Sequence, residues 1–326
     1  MRACSWADVL VDSKMESLIH VVAAVIRKGH QVLLAQRPAD VHQGGLWEFP
    51  GGKVETDENR EQALVRELQE ELGLTPIRFE PLIRVPHHYP DESVLLDVWE
   101  VSEWQGEPQG REGQKVCWVD EDELQQYDFP QANHAIVTAC QLPPHYVITP
   151  ALENDEAAFM QQLENTLANG IRLLQLRQKN LSRDDFATLA AKVIPVCHAA
   201  GAKVLLNAEP RLAVELDADG VQLNGPHLMA LNERPLSKDY LVAASCHDKV
   251  EISKAGELRL DFALLSPVQA TASHPDATPL GWGRFNELVE QSNIPVYALG
   301  GVGREDTQTA RQQGGQGISA IRALWD

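Results

Sequence analysis

Gly52-Lys53-Val54-Glu55-Thr56-Asp57-Glu58, seven further residues, and then Arg66-Glu67-Leu68-Gln69-Glu70-Glu71-Leu72-Gly73-Leu74 decide how the first half of the chain is read. Leu64, Val65, Leu68 and Leu72 recur at helical spacing and Gly73 stops the run, so a helix is expected over 57–72. Glu67, Glu70 and Glu71 stand at i, i+3 and i+4 and are expected on one face of it. Such a run usually marks a solvated acidic face. The preceding Phe49-Pro50-Gly51-Gly52 favours another meaning, three carboxylates whose mutual repulsion is relieved by a hard cation. Oxygen ligands with no cysteine or convergent histidine indicate Mg²⁺, with Mn²⁺ as a substitute, and not zinc. Gly51 and Gly52 let the backbone turn sharply enough to aim a carbonyl at the metal. Glu58 falls at the expected helix start, where the dipole favours a carboxylate, and Arg66 can hold a glutamate by a bidentate pair.

Outward from this stretch, His20–Ile26 and Gln31–Ala35 read as strands joined by a hairpin, and Val94–Val101 and Lys115–Val119 as further strands. At 326 residues the chain is expected to hold about two domains. With 44% hydrophobic and 23% charged residues it has the composition of a globular protein. The break falls at Leu142-Pro143-Pro144-His145, where two prolines suit a stiff linker. The expected division is an N-terminal extension 1–17, a first domain 18–142, a linker 143–145 and a second domain 146–326. Residues 1–14, ahead of Met15, read as an upstream-start artefact or a frayed tail. The first 142 residues carry 12 basic and 25 acidic side chains, so a cation site belongs there. A net charge of −19 repels phosphate backbones and anionic membranes, so stable nucleic-acid binding and membrane docking are not expected. Five scattered cysteines without C-x-x-C spacing, and no apolar run of membrane-spanning length, indicate a reduced, cytoplasmic protein.

The second half has eight short apolar runs: 146–149, 173–176, 204–207, 220–223, 241–245, 262–266, 296–299 and 317–321. Helical or turn segments separate them, most clearly 156–168, 185–200 and 304–313. Eight strand–helix alternations are the pattern of a parallel (β/α)₈ barrel, here short enough that some helices must be single turns. Active sites of such barrels gather at the C-terminal strand ends. Arg177 and Lys179 follow the second run, Gly300 and Gly301 follow the seventh, and Ser319 lies in the eighth. Glycine-rich backbone after strands seven and eight is the usual barrel phosphate site.

The first stretch resembles the Nudix box, and residues 18–142 look like the MutT-type 8-oxo-dGTP diphosphatases. The resemblance implies an α/β/α sandwich that hydrolyses a nucleoside triphosphate to the monophosphate and pyrophosphate, a nucleotide-pool-cleaning reaction. It implies metal ligation by Glu67, Glu70, Glu71 and the Gly51 carbonyl. Glu112, in Gly110-Arg111-Glu112-Gly113-Gln114, matches a second glutamate near the metal, one that binds it or assists the attacking water. Arg37 can reach a phosphate or a purine edge, Phe49 can pack on a base, and Asn133 matches the asparagine that reads the oxidised purine. Glu92 departs from the pattern, standing where a base-contacting arginine is expected.

The second half resembles thiamin phosphate synthase and the related thiazole tautomerase. The likeness rests on Gln175-Leu176-Arg177-x-Lys179, Asn207, Ser245-x-His247, Ser266-Pro267-Val268 and Gly300-Gly301. It implies that Arg177, Lys179 and Asn207 face a pyrophosphate and an aminopyrimidine, and Gly300, Gly301 and Ser319 a thiazole phosphate, with Ser245 in the same ligand site. Ala208, His227, Gln222 and His274 depart from the synthase pattern, the first two where aspartates are expected. A phosphate-binding or regulatory barrel without synthase activity is therefore expected. A metal-independent isomerase using His247 or His274 comes next. The fusion raises one alternative for the whole chain, a hydrolase of a thiamin-pathway pyrophosphate whose barrel binds the product.

Overall fold

The computed structural model describes residues 18–39, 43–89, 92–153, 155–271 and 277–325. The N-terminal segment 1–17 and His274 lie outside them. The first part contains β1 (Ile19–Lys28), β2 (Gln31–Gln36), β3 (Trp47–Glu48), β4 (Gly51–Lys53), α1 (Arg60–Leu72), β5 (Thr75–His88), β6 (Ser93–Gln105), β7 (Val116–Asp120) and α2 (His134–Gln141). The seven strands form one sheet in the order β3-β2-β1-β6-β5, with β4 paired to β1 and β7 to β2. β1 and β6 run parallel; every other pair in the sheet is antiparallel.

Alternation along β1 builds the sandwich. Val22, Ala24 and Ile26 meet Leu64, Leu68 and Leu72 of α1. Ala23 and Val25 face the other way, toward Ile136, Val137 and Cys140 of α2. The apolar stripe of α1 is thus spent on the sheet, and its acidic face is free to line a site. The helix begins at Arg60, three residues later than its periodicity suggests. Asn59 and Gln62 form a reciprocal capping box there, and Gly73 closes the other end in a left-handed conformation. Glu58 therefore precedes the helix.

The second part is a closed eight-stranded parallel barrel, β8 (His145–Ile148), β9 (Leu173–Leu176), β10 (Lys203–Leu206), β11 (Gly220–Leu223), β12 (Leu241–Cys246), β13 (Phe262–Leu265), β14 (Val296–Leu299) and β15 (Gly317–Ala320). Tyr146, Phe262 and Tyr297 fill its interior with edge-on and tilted ring contacts of 5.2–5.9 Å. Alternate strand residues, such as Val147, pack outward against the surrounding helices. Several of those helices have only four to six residues, which is how eight units fit the short half.

The Pro-Pro segment is packed. Leu142 belongs to the barrel's interior cluster with Tyr146, Leu173, Phe262 and Tyr297. The Tyr297 hydroxyl donates to the Pro143 carbonyl, and the Ile318 N–H to that of Pro144 at 3.0 Å. Gln316 Nε2 donates to the carbonyls of Ala139 and Leu142 at 3.1 and 2.8 Å. β5 docks beside this floor through Arg84–Glu290 and Arg311–Glu80 pairs, both 2.6 Å. Among the described residues no helix is long and apolar enough to cross a membrane.

Candidate active site

Two glycines, Gly51 and Gly52, open β4. Gly51 has φ +150°, and a Cβ there would lie 2.1 Å from the Val22 carbonyl oxygen. A Cβ on Gly52 would lie 2.2–2.4 Å from the Glu67 carboxylate, so Glu67 rests directly on β4. The Gly51 N–H donates to Glu71 Oε2 at 3.1 Å. Residues 54–58 line an adjoining cleft of about 420 Å³. The Gly110–Gln114 loop is fastened to the same place. The Arg111 N–H and Gln114 Nε2 both donate to the Glu71 carbonyl, at 2.9 and 3.1 Å. Gln114 Oε1 accepts from the Glu112 N–H at 2.8 Å.

This assembly sets the electrostatics. The Glu71 carboxyl is pushed up to about 8, chiefly by burial. Glu48, Glu67 and Glu112 push it further in the same direction, against the Gly51 N–H. Burial also raises Glu67, and Arg66 opposes it. Arg66 gathers the other acids. It donates to Glu58 at 2.6 and 3.1 Å, to Glu67 at 2.8 Å, to Glu70 at 3.2 Å and to the Lys53 carbonyl at 3.0 Å. Its pairing holds Glu58 below the usual carboxylate range.

The expected three-glutamate face divides accordingly. Glu67 turns inward, while Glu70 is 59% exposed and paired outward with Arg66. Among the described residues no three acidic, imidazole or thiol side chains converge closely enough to hold a metal ion as placed. The donor set nonetheless fits a hard divalent cation. Glu67 and Glu71 are acids whose ionisation burial opposes, further acids surround them, and a cation would relieve the repulsion.

Glu48, which the sequence reading passed over, extends the site. It lies on β3 between Trp47 and Phe49, its ionisation is opposed by burial, and it pairs with Arg37. Arg37 is thereby tied to the acidic cluster. Tyr89 continues the line: its hydroxyl is hydrogen-bonded to the Ala132 backbone and the Gln43 side chain, and it feels the Arg37 charge. Asn133 follows Ala132 directly. Asn133 stands at the start of α2, but its side chain makes no cap bond, and among the described residues its amide has no hydrogen-bond partner. Phe49 is 4% exposed and stacked on Phe129 at 5.7 Å, so its ring lies in the core. An acid inside an aromatic-rich run was the available signal for Glu48; Tyr89 gave none.

The barrel brings its expected residues to one end. Arg177, Asn207 and Gly300 directly follow β9, β10 and β14, Lys179 lies two residues past Arg177, and Ser245 and Ser319 are next to last in β12 and β15. Arg177 is half-buried, its guanidinium has no partner among the described residues, and burial lowers its pKa. Lys179 is exposed. Gly300 and Gly301 have φ of +94° and +70°; a Cβ on Gly301 would meet the Ala270 carbonyl oxygen at 2.5 Å. Ser319 Oγ is fully buried without a partner. Gln222 accepts from the Tyr146 hydroxyl at 3.1 Å and donates to Ser245 Oγ at 3.3 Å, while Asn207 Nδ2 donates to its carbonyl at 3.0 Å. His247 Nδ1 is bonded to the Ser266 carbonyl at 2.8 Å.

Comparison with known proteins agrees with both halves. Residues 21–139 match the NUDIX domain, and residues 145–324 match thiamine monophosphate synthase. An 8-oxo-dGTP diphosphatase of Escherichia coli K12 is 40% identical over 123 residues, 38% of this chain and 95% of that protein. A putative thiamine-phosphate synthase 2 of Aquifex aeolicus VF5 is 34% identical over 181 residues, 56% of this chain and 97% of that protein. The chain belongs to both families. A CTP pyrophosphohydrolase of Escherichia coli K12 is also similar to the NUDIX half, 42% identical over 122 residues, 37% of this chain and 90% of that protein. The NUDIX half is a hydrolase acting on phosphoric anhydrides, and the thiamine monophosphate synthase half supplies the barrel.

Proposed function

We propose that the chain hydrolyses 8-oxo-dGTP to 8-oxo-dGMP and pyrophosphate with Mg²⁺, Mn²⁺ substituting, and so cleans the cytoplasmic nucleotide pool. The observation that carries this reading is an electrostatic line from the acidic cluster at Glu71 to Glu48, which pairs with Arg37, and from the Arg37 charge to Tyr89, which packs with Ala132 beside Asn133, whose amide has no partner among the described residues. It joins a place for the phosphates to a place for the base. Glu67, Glu71 and the Gly51 carbonyl would hold the cation, with Glu70 completing the set once released from Arg66. The cation would neutralise the phosphate oxygens, which is most of what phosphoryl transfer requires. Arg66 keeps Glu58 and Glu67 in place. Glu112, exposed at the edge of the cluster, takes the proton of the attacking water. Asn133 offers the base both a donor and an acceptor.

The domain division 18–142, 143–145 and 146–326 belongs to the same proposal. The barrel binds a phosphate ligand, thiamin-related by its family, at Arg177, Lys179, Asn207, Ser245, Gly300, Gly301 and Ser319, and is not an active synthase. A buried Ser319 hydroxyl and an Arg177 guanidinium, neither with a partner among the described residues, suit a phosphate. Ala208 and His227 in place of carboxylates do not suit Mg-pyrophosphate. A pyrophosphate-release screen over 8-oxo-dGTP, dGTP, CTP and thiamin-pathway pyrophosphates tests the assignment. It should show 8-oxo-dGTP hydrolysed fastest; equal rates on 8-oxo-dGTP and dGTP, or a faster CTP or thiamin substrate, would refute it.

A further inference from the structure

The β5–β6 hairpin places a carboxylate on the face of the sheet that packs against Ala132, the neighbour of Asn133. Its last bridge pairs His88 with Ser93, and the Tyr89 N–H donates to the Glu92 carbonyl at 2.8 Å, so Tyr89 and Glu92 stand opposite each other. Opposed residues of an antiparallel pair project to the same face. That face is the one covered by α2, because Tyr89 packs into the cluster that includes Val94, Ala132, Ala135 and Ile136. Tyr89 in turn bonds the backbone of Ala132, next to Asn133. Glu92 and Asn133 are therefore brought to the same face of the sheet from two different elements. Both are half-buried, and among the described residues neither side chain has a hydrogen-bond or ion-pair partner. The nearby cation, Arg37, is engaged with Glu48.

An ionised carboxylate only accepts hydrogen bonds. A base edge beside it must therefore present a donor. Ordinary guanine presents the N7 lone pair, an acceptor. Oxidation at C8 converts N7 to N–H, a donor. We propose that Glu92 is a specificity-determining residue that accepts a hydrogen bond from the N7–H of an 8-oxopurine and repels the N7 lone pair of the undamaged base. This deepens the 8-oxo-dGTP reading and rests on it. Asn133 supplies the neighbouring donor and acceptor, so the two side chains together read the oxidised edge.

The test uses the full-length protein with Mg²⁺ and compares kcat/KM on 8-oxo-dGTP, dGTP and 7-deaza-dGTP, whose ring carries no N7 lone pair. The wild type should prefer 8-oxo-dGTP, and 7-deaza-dGTP should outrun dGTP because the repulsion is gone. In Glu92→Gln the amide can donate to N7, so the 8-oxo-dGTP to dGTP ratio should fall about tenfold, mainly through KM. A merely structural loss would lower both rates together. A wild type that prefers 8-oxo-dGTP and a variant whose ratio stays within about twofold would overturn the Glu92 assignment and leave the substrate reading intact. Equal wild-type rates on dGTP and 7-deaza-dGTP would likewise overturn the Glu92 assignment alone. A wild type indifferent to oxidation would overturn both.

Discussion

Gly52→Ala separates catalysis from folding. The added Cβ would fall 2.2 Å from Glu67 Oε1, 2.3 Å from its carboxyl carbon and 2.4 Å from Oε2. Ordinary contact begins at 3.4 Å, so the carboxylate must retreat by about 1 Å. The retreating group is the end of a flexible side chain, and the backbone at Gly52 is not in the left-handed region. The fold should therefore tolerate the methyl group, with the melting temperature within about 2 °C of wild type. Catalysis should not tolerate it. A misplacement of about 1 Å at a reacting centre is worth roughly a hundredfold, or about 2.7 kcal/mol of barrel-independent activation energy. Gly51→Ala is the contrast. Its Cβ meets the Val22 carbonyl oxygen at 2.1 Å from a φ of +150°, backbone against backbone, and should destabilise the protein by several kcal/mol. The assay is steady-state pyrophosphate release with Mg²⁺, alongside thermal unfolding by circular dichroism. Near-wild-type turnover in Gly52→Ala, or a melting loss as large as that of Gly51→Ala, would refute the placement of Glu67 against Gly52.

Burial holds the Glu71 carboxyl up at about 8 against an ordinary 4.5, so the folded, metal-free protein retains a proton that the unfolded chain has released. Its stability should fall as pH rises from about 4.5 to about 8, by at most about 1.4 kcal/mol per unit and less where solvent screens the group. Melting curves in EDTA should show that slope in the wild type and lose it in Glu71→Gln; identical slopes would contradict the assignment. Leu142→Ala opens a hole in the barrel floor and should cost about 2–4 kcal/mol by denaturant unfolding, although Leu142 precedes the first barrel strand. A cost below about 0.5 kcal/mol would mean the floor does not depend on it. Inorganic pyrophosphate or phosphate should raise the barrel's melting temperature in the wild type and not in Arg177→Ala. An equal shift in both would place the anion elsewhere.

Where the fold was legible, one segment carried both pattern and punctuation. α1 shows its stripe in Leu64, Leu68 and Leu72 and its stop in Gly73, and the barrel strands show theirs as eight short apolar runs. β5 was not legible. Its 14 residues include Pro76, Pro81 and Pro86, which argue against a strand; they are accommodated because β5 is the sheet edge and its register shifts near Pro76 and Pro81. The start of α1 was misplaced because apolar periodicity says nothing about a capping box. At the site, spacing along one helix revealed Glu67 and Glu71. It could not reveal that Arg66 draws Glu70 outward, nor that Glu48, distant in sequence, adds its charge to Glu71. Phe49 shows the converse: an aromatic beside a glycine loop reads as a base platform, but the stacked Phe129 claims it for the core.

The central claim is that Glu67 and Glu71, crowded by Glu48 and Glu112, are a seat for a divalent cation. Titrating Mn²⁺ into the full-length protein at pH 8, with free Mn²⁺ followed by electron paramagnetic resonance, tests it without reference to any substrate. Uptake of Mn²⁺ by the wild type, weakened at least tenfold (about 1.4 kcal/mol) in Glu71→Gln, is the expected result. Uptake that is equal in the two proteins, or absent from the wild type, would contradict it.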